Sequence, residues 1–361
     1  MEKYRVGIVG ATGMVGQRFI SLLKDHPWFE VNCVAASARS AGKTYREAVG
    51  ERWAFAWEIP EKVAGMTVVD AADIDEVSKH VDFVFCAVDM KKDEIRALEE
   101  AYAKHEIPVV SNNSACRGIE DVPMVVPEIN ADHLAVIEAQ KKRLGTKNGF
   151  IAVKPNCSIQ SYVPALTPLL DFEPEKVSVC TYQAISGAGK TFKTWPEMVD
   201  NVIPYISGED EKSENEPLKL WGHVEDGKIV NATLPVISAQ CLRVACSDGH
   251  MAAVSVSFKK KPTIEQIKER WANYETEAQR LELPSAPKPF LQYFEDPSRP
   301  QTRLDRDFQN GFGVSIGRLR EDKLFDYRFV CLSHNTVRGA AGGGILTAEL
   351  LCRKGYIPHR V

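Results

Sequence analysis

The chain has 361 residues, 44% apolar and 26% charged, with 45 basic against 49 acidic side chains and a net charge of −4. These values exclude a disordered chain, a collagen-like chain and a coiled-coil rod, and the length suggests about two domains. The near-even charge gives no electrostatic reason to bind nucleic acid or an anionic membrane, and the apolar runs stop well short of the ~20 residues that span a bilayer.

The first third alternates strand and helix signals. An apolar run at 4–9 ends in glycine, and residues 14–24 have helical period, with Val15, Phe19, Leu22 and Leu23 on one face. Strands are expected at 31–36, 67–69, 81–88 and 108–111, with helices at 71–79 and 93–104 between them. Such alternation implies a parallel sheet with right-handed crossovers. Residues 37–60 read as an irregular excursion. A strand at 151–153 leads into Lys154-Pro155-Asn156-Cys157, and 158–170 reads as a helix kinked by Pro164 and Pro168. From Val177 onward apolar and polar residues alternate, best at 250–258, 312–318 and 325–332, which signals antiparallel strands with one covered face. A helix is expected at 263–280, a surface loop at 283–300, and a glycine-led helix at 339–352. The fold class is α/β: a Rossmann-type parallel sheet domain, then an α+β domain with a mixed or antiparallel sheet. The boundary falls near 155.

The strongest local signal is Val6-Gly7-Ile8-Val9-Gly10-Ala11-Thr12-Gly13-Met14-Val15-Gly16, a GxxGxxG turn between a strand and a helix. Its glycines let backbone approach a pyrophosphate, and the helix start offers N–H donors. An NAD site usually carries a carboxylate at the end of the second strand. Here that end reads Ser37, Arg39, Ser40 and then Lys43, so two hydroxyls and two cations favour the 2′-phosphate of NADP.

Nine cysteines, odd in number and without CxxC spacing, read as reduced thiols, and residues 1–5 carry no apolar signal region. The expected location is the cytoplasm. No histidine pair has metal-ligand spacing, so no metal is expected. Cys157 precedes a helical stretch, where a helix dipole lowers a thiol pKa. Cys116, after the fifth strand, is its rival. His250 opens an alternating strand, with Arg243 seven residues before it. The Gly249 turn intervenes, and spacing leaves open whether the two share a face.

These residues also carry a resemblance. GATGMVG at 10–16, SNNSACR at 111–117, PNCS at 155–158, TYQAISGAGK at 181–190, LRVACSDGH at 242–250 and NTVRGAAGG at 335–343 occur in the order seen in aspartate-semialdehyde dehydrogenases, and the chain resembles their archaeal and fungal branch. The resemblance implies NADPH-dependent reductive dephosphorylation of L-aspartyl 4-phosphate to the semialdehyde, a step toward lysine, threonine and methionine. It implies Cys157 as nucleophile forming a thioester, Gln183 beside it, and His250 as the acid/base that takes the thiol proton. Arg243 would hold the substrate carboxylate and Glu216 its ammonium, Arg117 and Lys219 would hold phosphate, and Asn156 would also bind the substrate. Gly10, Thr12, Gly13, Met14, Val15, Ser186, Gly187, Gly189 and Asn335 would contact the cofactor.

The resemblance also returns residues 335–361 to the first domain. That gives an NADP-binding unit of 1–156 with 335–361, and an inserted catalytic and oligomerising unit of 157–334. A homo-oligomer, dimer or tetramer, is expected. Malonyl-CoA reductase and N-acetyl-glutamyl-phosphate reductase use the same thioester logic and are the alternatives. A non-enzymatic NADP-binding module has no need for Cys157, Gln183 and His250 together.

Overall fold

A computed structural model describes residues 2–359. Six strands form a parallel sheet: β1 (Tyr4–Val9), β2 (Phe29–Ala36), β3 (Val69–Asp70), β4 (Phe83–Cys86), β5 (Val109–Ser111) and β6 (Ile151–Val153). β4, β5 and β6 are buried along their whole length, as continuous apolar runs in a parallel sheet must be. The order β3-β2-β1-β4-β5-β6 reverses direction between β1 and β4. A crevice therefore opens beyond their carboxyl ends. Gly10 stands at its floor with φ +90, where a Cβ would lie 2.3 Å from the Ala87 carbonyl oxygen. A Cβ on Gly16 would lie 2.3 Å from the Gly10 oxygen, so only glycine lets the helix Met14–Leu23 start this close to β1.

The excursion 37–60 is partly ordered. Thr44 and Glu47 form a capping box for the helix Tyr45–Val49. The Tyr45 hydroxyl donates to the Ala11 carbonyl at 2.8 Å and ties this segment to the glycine turn.

The second sheet is mixed. Its strands are β7 (Pro174–Gln183), β8 (Val202–Ile203), β11 (Val236–Val244), β12 (His250–Phe258), β13 (Leu291–Phe294), β14 (Val314–Glu321) and β15 (Tyr327–Ser333), while β9 (His223–Glu225) and β10 (Lys228–Val230) make a separate hairpin. β7 runs antiparallel to β12 but parallel to β11. Three local expectations change. Residues 158–170 form a 3-10 turn at Ser158–Gln160, a short helix Val163–Leu166 and a second 3-10 turn Thr167–Phe172. Pro164 and Pro168 each sit in a first turn, where a missing N–H costs nothing, so they start new elements rather than kink one helix. Residues 263–280 split into Ile264–Ala272 and Glu277–Arg280, because Thr263 and Thr276 each cap a separate helix. The expected loop at 283–300 contains β13, an edge strand parallel to β14 and too short to show a period.

One apolar core joins the two sheets. It runs from Val84 and Val109 through Ile159, Val163 and Leu166 to Val254, Ile316 and Phe329. A second core covers the other face of the first sheet, where Phe19 packs with Ile345, Leu346 and Leu350. The tail helix Gly342–Arg353 thus returns to the first sheet. Just before it, Arg338 donates to both oxygens of Glu128, at 2.8 and 3.2 Å, and to the Phe312 carbonyl at 2.8 Å. Both side chains are almost fully buried. Replacing Arg338 by Met strands the Glu128 carboxylate, and unfolding stability should fall by about 3–5 kcal/mol. The double change Arg338→Met with Glu128→Gln should recover much of that loss. Urea midpoints at a constant m-value measure both.

Candidate active site

Cys157 follows β6 at the start of the Ser158–Gln160 turn. The Asn156 side-chain oxygen accepts from the Ser158 N–H and the Ser158 hydroxyl, both at 2.7 Å, and so shapes this turn. A three-residue 3-10 turn supplies little dipole. Burial pushes the Cys157 thiol up, and Glu209 adds to this; Lys154, Arg243 and Arg117 oppose it. In place of the expected helix-dipole lowering, nearby cations offset part of the rise. Cys116 is fully buried and its thiol is pushed up, first by burial and then by Glu99. Cys157 instead lines a cavity of about 300 Å³.

The first residue of β12, His250, places Nε2 3.4 Å from the Cys157 sulfur. The Ala184 N–H donates to Nδ1 at 3.0 Å. A neutral ring must then carry its own proton on Nε2, facing the sulfur. Burial, followed by the Arg243 charge, pushes His250 down to about 3, so the ring is neutral at physiological pH. In this state it gives a hydrogen bond to the sulfur and has no free lone pair there. The expectation that it takes the thiol proton meets that obstacle.

Gln183 and Arg243 are register neighbours on β7 and β11. Both line the Cys157 cavity, and Arg243 anchors one nitrogen on the Ala184 carbonyl at 2.8 Å. Arg243 and His250 therefore converge on one site. Glu209, the first residue of the helix Glu209–Leu220, lines the same cavity. Its carboxylate accepts from Asn156 Nδ2 (3.0 and 3.1 Å), Gln183 Nε2 (3.1 Å) and Lys212 Nζ (2.8 Å). Burial pushes its pKa up, but Lys212 and these amides outweigh it and hold it below the usual carboxylate range.

Glu216 and Lys219 are placed otherwise than expected. Glu216 accepts from Arg117 Nη1 at 2.9 Å and from the Asn156 N–H at 2.5 Å, and it lies behind the cavity wall. Lys219 donates to the carbonyls of Arg117 (2.7 Å), Ile119 (2.7 Å) and Val122 (3.0 Å). All three ammonium hydrogens are used, so Lys219 ties a loop and has none left for phosphate. Arg117 lines the cavity, and its buried Nε has no hydrogen-bond partner among the described residues.

A larger cleft of about 690 Å³ opens at the β1/β4 reversal, lined by Gly10, Thr12, Gly13, Ser37, Arg39, Ser40 and Lys43. Its cations and hydroxyls beside the glycine turn fit a dinucleotide with a 2′-phosphate. Val15, Ser186, Gly187 and Asn335 line the Cys157 cavity instead. Asn335 spans two segments, accepting from the Gly249 N–H at 2.7 Å and donating to the Ser186 hydroxyl at 2.8 Å. Met14 and Gly189 line neither cleft.

A family model described as "Semialdehyde dehydrogenase, NAD binding domain" matches residues 5–137, and one described as "Semialdehyde dehydrogenase, dimerisation domain" matches 166–338. An aspartate-semialdehyde dehydrogenase of Aspergillus fumigatus is 44% identical over 98% of this chain and 99% of its own. One from Archaeoglobus fulgidus is 43% identical, over 98% of this chain and all of its own. The chain belongs to the aspartate-semialdehyde dehydrogenase family. A crystal structure of the Candida albicans family member with NADP superposes with a TM-score of 0.89 at 39% identity, covering 99% of this chain and 100% of that one.

Family motifs led to Cys157, Gln183, Arg243 and His250, which the fold brings together. They did not lead to Glu209, Lys212 or Lys154, nor to Ala87–Met90 on the cofactor cleft wall. The one local signal for Glu209 was the acidic run at 209–216, which offers five carboxylates, Glu209, Asp210, Glu211, Glu214 and Glu216.

The buried histidines predict an acid response for this family member. His250 is pushed down to about 3 and His334 to about 4, each mainly by burial, and burial lowers His133 as well. Unfolding frees them to bind protons near their ordinary pKa of about 6.5. The unfolded state then binds more protons below that pH, so stability falls as pH drops. Between pH 7.5 and 5.5 His250 alone should account for about 1.4 kcal/mol of loss. Urea unfolding at the two pH values measures it, and His250→Gln should flatten the slope by about that amount.

Proposed function

We propose that this chain reduces L-aspartyl 4-phosphate to L-aspartate 4-semialdehyde with NADPH, through a thioester on Cys157. The observation that carries the reading is one cavity holding Cys157, the His250 Nε2 at 3.4 Å, a fork (Arg243), an ionised acid (Glu209) and two further cations (Arg117 and Lys212). Aspartyl phosphate has a carboxylate, an ammonium and a phosphate, and each needs a counter-charge in a partly desolvated site. Arg243 takes the carboxylate, Glu209 the ammonium, and Arg117 with Lys212 the phosphate. A blocked amine or a CoA thioester leaves Glu209 without its partner, which disfavours N-acetyl-glutamyl phosphate and malonyl-CoA.

The Cys157 thiolate attacks the acyl carbon; a C–S bond forms, and the C–O bond to phosphate breaks toward Arg117 and Lys212. The His250 Nε2–H hydrogen-bonds the sulfur and limits charge build-up as it enters and leaves. A bound nicotinamide supplies the hydride. The thioester carbon is thereby reduced, its C–S bond breaks, and the aldehyde leaves with the thiolate restored. Gly10, Thr12, Gly13, Ser37, Arg39, Ser40 and Lys43 hold the dinucleotide, with Val15, Ser186, Gly187 and Asn335 toward the reacting end.

Residues 2–156 with 335–359 form the cofactor unit and 157–334 the catalytic unit; residues 1, 360 and 361 of the expected first unit lie outside the described residues. Val202, Tyr205 and Val236 stay exposed on or beside β8 and β11, and Tyr182 of β7 is partly so. We read this patch as the surface through which a second copy docks, in keeping with the matched dimerisation domain. Among the described residues no helix is long and apolar enough to cross a membrane. The free cysteines fit a reducing cytoplasm.

Run in reverse, semialdehyde, phosphate and NADP⁺ should yield NADPH, followed by absorbance, and Cys157→Ala should abolish it. Glu209→Gln should raise KM for the semialdehyde and Lys212→Met that for phosphate, each by roughly 10- to 150-fold. Lys219→Met should lower the melting temperature and spare the phosphate KM. A higher forward rate on malonyl-CoA or N-acetyl-glutamyl phosphate would sink the assignment.

Cofactor choice has its own check. Arg39→Ala should raise KM for NADPH by roughly 10-fold or more and leave KM for NADH nearly unchanged. Equal damage to both would contradict a 2′-phosphate contact.

A further inference from the structure

Lys154 belongs to none of the matched motifs' assigned roles. It follows β6, three residues before the nucleophile, and is only 2% exposed. Its stem packs on Gly343, whose Cβ would lie 3.3 Å from Lys154 Cδ. Its Nζ donates to the Pro155 carbonyl, and among the described residues no carboxylate forms an ion pair with it. An ammonium buried in this way is costly. Burial, then Arg117, pushes it down to about 7; Cys157 and Glu216 pull it back, while Arg338 also lowers it. Lys154 and Cys157 line the same cavity.

Other charges around the sulfur are already committed. Glu209, held by Lys212, opposes a thiolate. Arg243 and Arg117 favour it, but the proposed reaction turns them to the substrate's carboxylate and phosphate. His250 presents Nε2–H and, with Nδ1 occupied by the Ala184 N–H, offers the thiol no lone pair. Lys154, which lines the same cavity and favours the thiolate, is the cation that the proposed reaction does not turn to the substrate.

We propose that Lys154 is a positioning residue whose buried ammonium favours the Cys157 thiolate in the substrate-loaded enzyme. This rests on the reading of Cys157 as nucleophile. The test is the pH dependence of Cys157 alkylation by iodoacetamide in the full chain, followed by the mass of the Cys157 peptide and so independent of turnover. Lys154→Met should move the rising limb up by about one pH unit and slow alkylation at pH 7 about tenfold. Lys154→Arg should restore most of the shift. If the methionine variant does not fold, Lys154→Gln, which keeps a donor for the Pro155 carbonyl, serves in its place. In the uncharged variant kcat should fall while the substrate KM holds. An alkylation profile that coincides with the unmodified chain overturns the proposal, as does Lys154→Arg behaving like Lys154→Met. Turnover retained by Cys157→Ala would instead overturn the nucleophile reading, and the alkylation profile would still report on Lys154.

Discussion

The contact between Gly339 and Cys157 constrains everything around it. A Cβ on residue 339 would lie 2.9 Å from the Cys157 Cβ, so the tail segment can reach the nucleophile only with no side chain there. This approach presses a segment from the end of the chain against the turn that follows β6. The buried Arg338–Glu128 pair, one residue away, holds it in place. A second glycine does the same on the opposite side. A Cβ on Gly187 would lie 3.0 Å from Arg243 Nη1 and 3.1 Å from the His250 ring. Two missing side chains thus open the cavity in which the sulfur, the imidazole and the guanidinium meet.

The charges in this cavity are arranged in two layers. Facing inward are Arg243, Glu209, Lys212 and Arg117. Behind them, Glu216 fixes Arg117 and the Asn156 backbone, and Lys219 closes the loop that carries Arg117. Such internal pairing keeps each charge oriented without water, and a site held that way loses little energy in reorganising as charge moves. Lys154 belongs to neither layer. It lines the cavity together with Cys157, and its Nζ donates to the Pro155 carbonyl.

The two clefts adjoin because of sheet order. The β1/β4 reversal opens the larger one, and β6, at the edge of the same sheet, delivers Cys157 to the smaller. The common core through Ile159, Val163 and Leu166 fixes the second sheet against the first, so His250 and Arg243 arrive from strands about 90 residues further along the chain.

What the amino-acid order determined by itself was local. The glycine turn, the alternating strands and helices, the missing acid after β2 and the candidates Cys157 and His250 were all legible, because each rests on neighbours within a few residues. Tertiary structure decided the rest. Glu209 and Glu216 lie seven residues apart on one helix, which puts them on the same face, so periodicity alone cannot choose between them. The choice falls to their partners, Gln183 and Asn156 for one and Arg117 for the other, 26 to 99 residues away. Lys219 reads as a free cation until three carbonyls about 100 residues distant claim its hydrogens. The His250 tautomer is set by a backbone N–H 66 residues away. Burial and hydrogen-bond partnership are properties of the packed chain, and they decide which of the legible charges face a substrate and which hold the wall behind it.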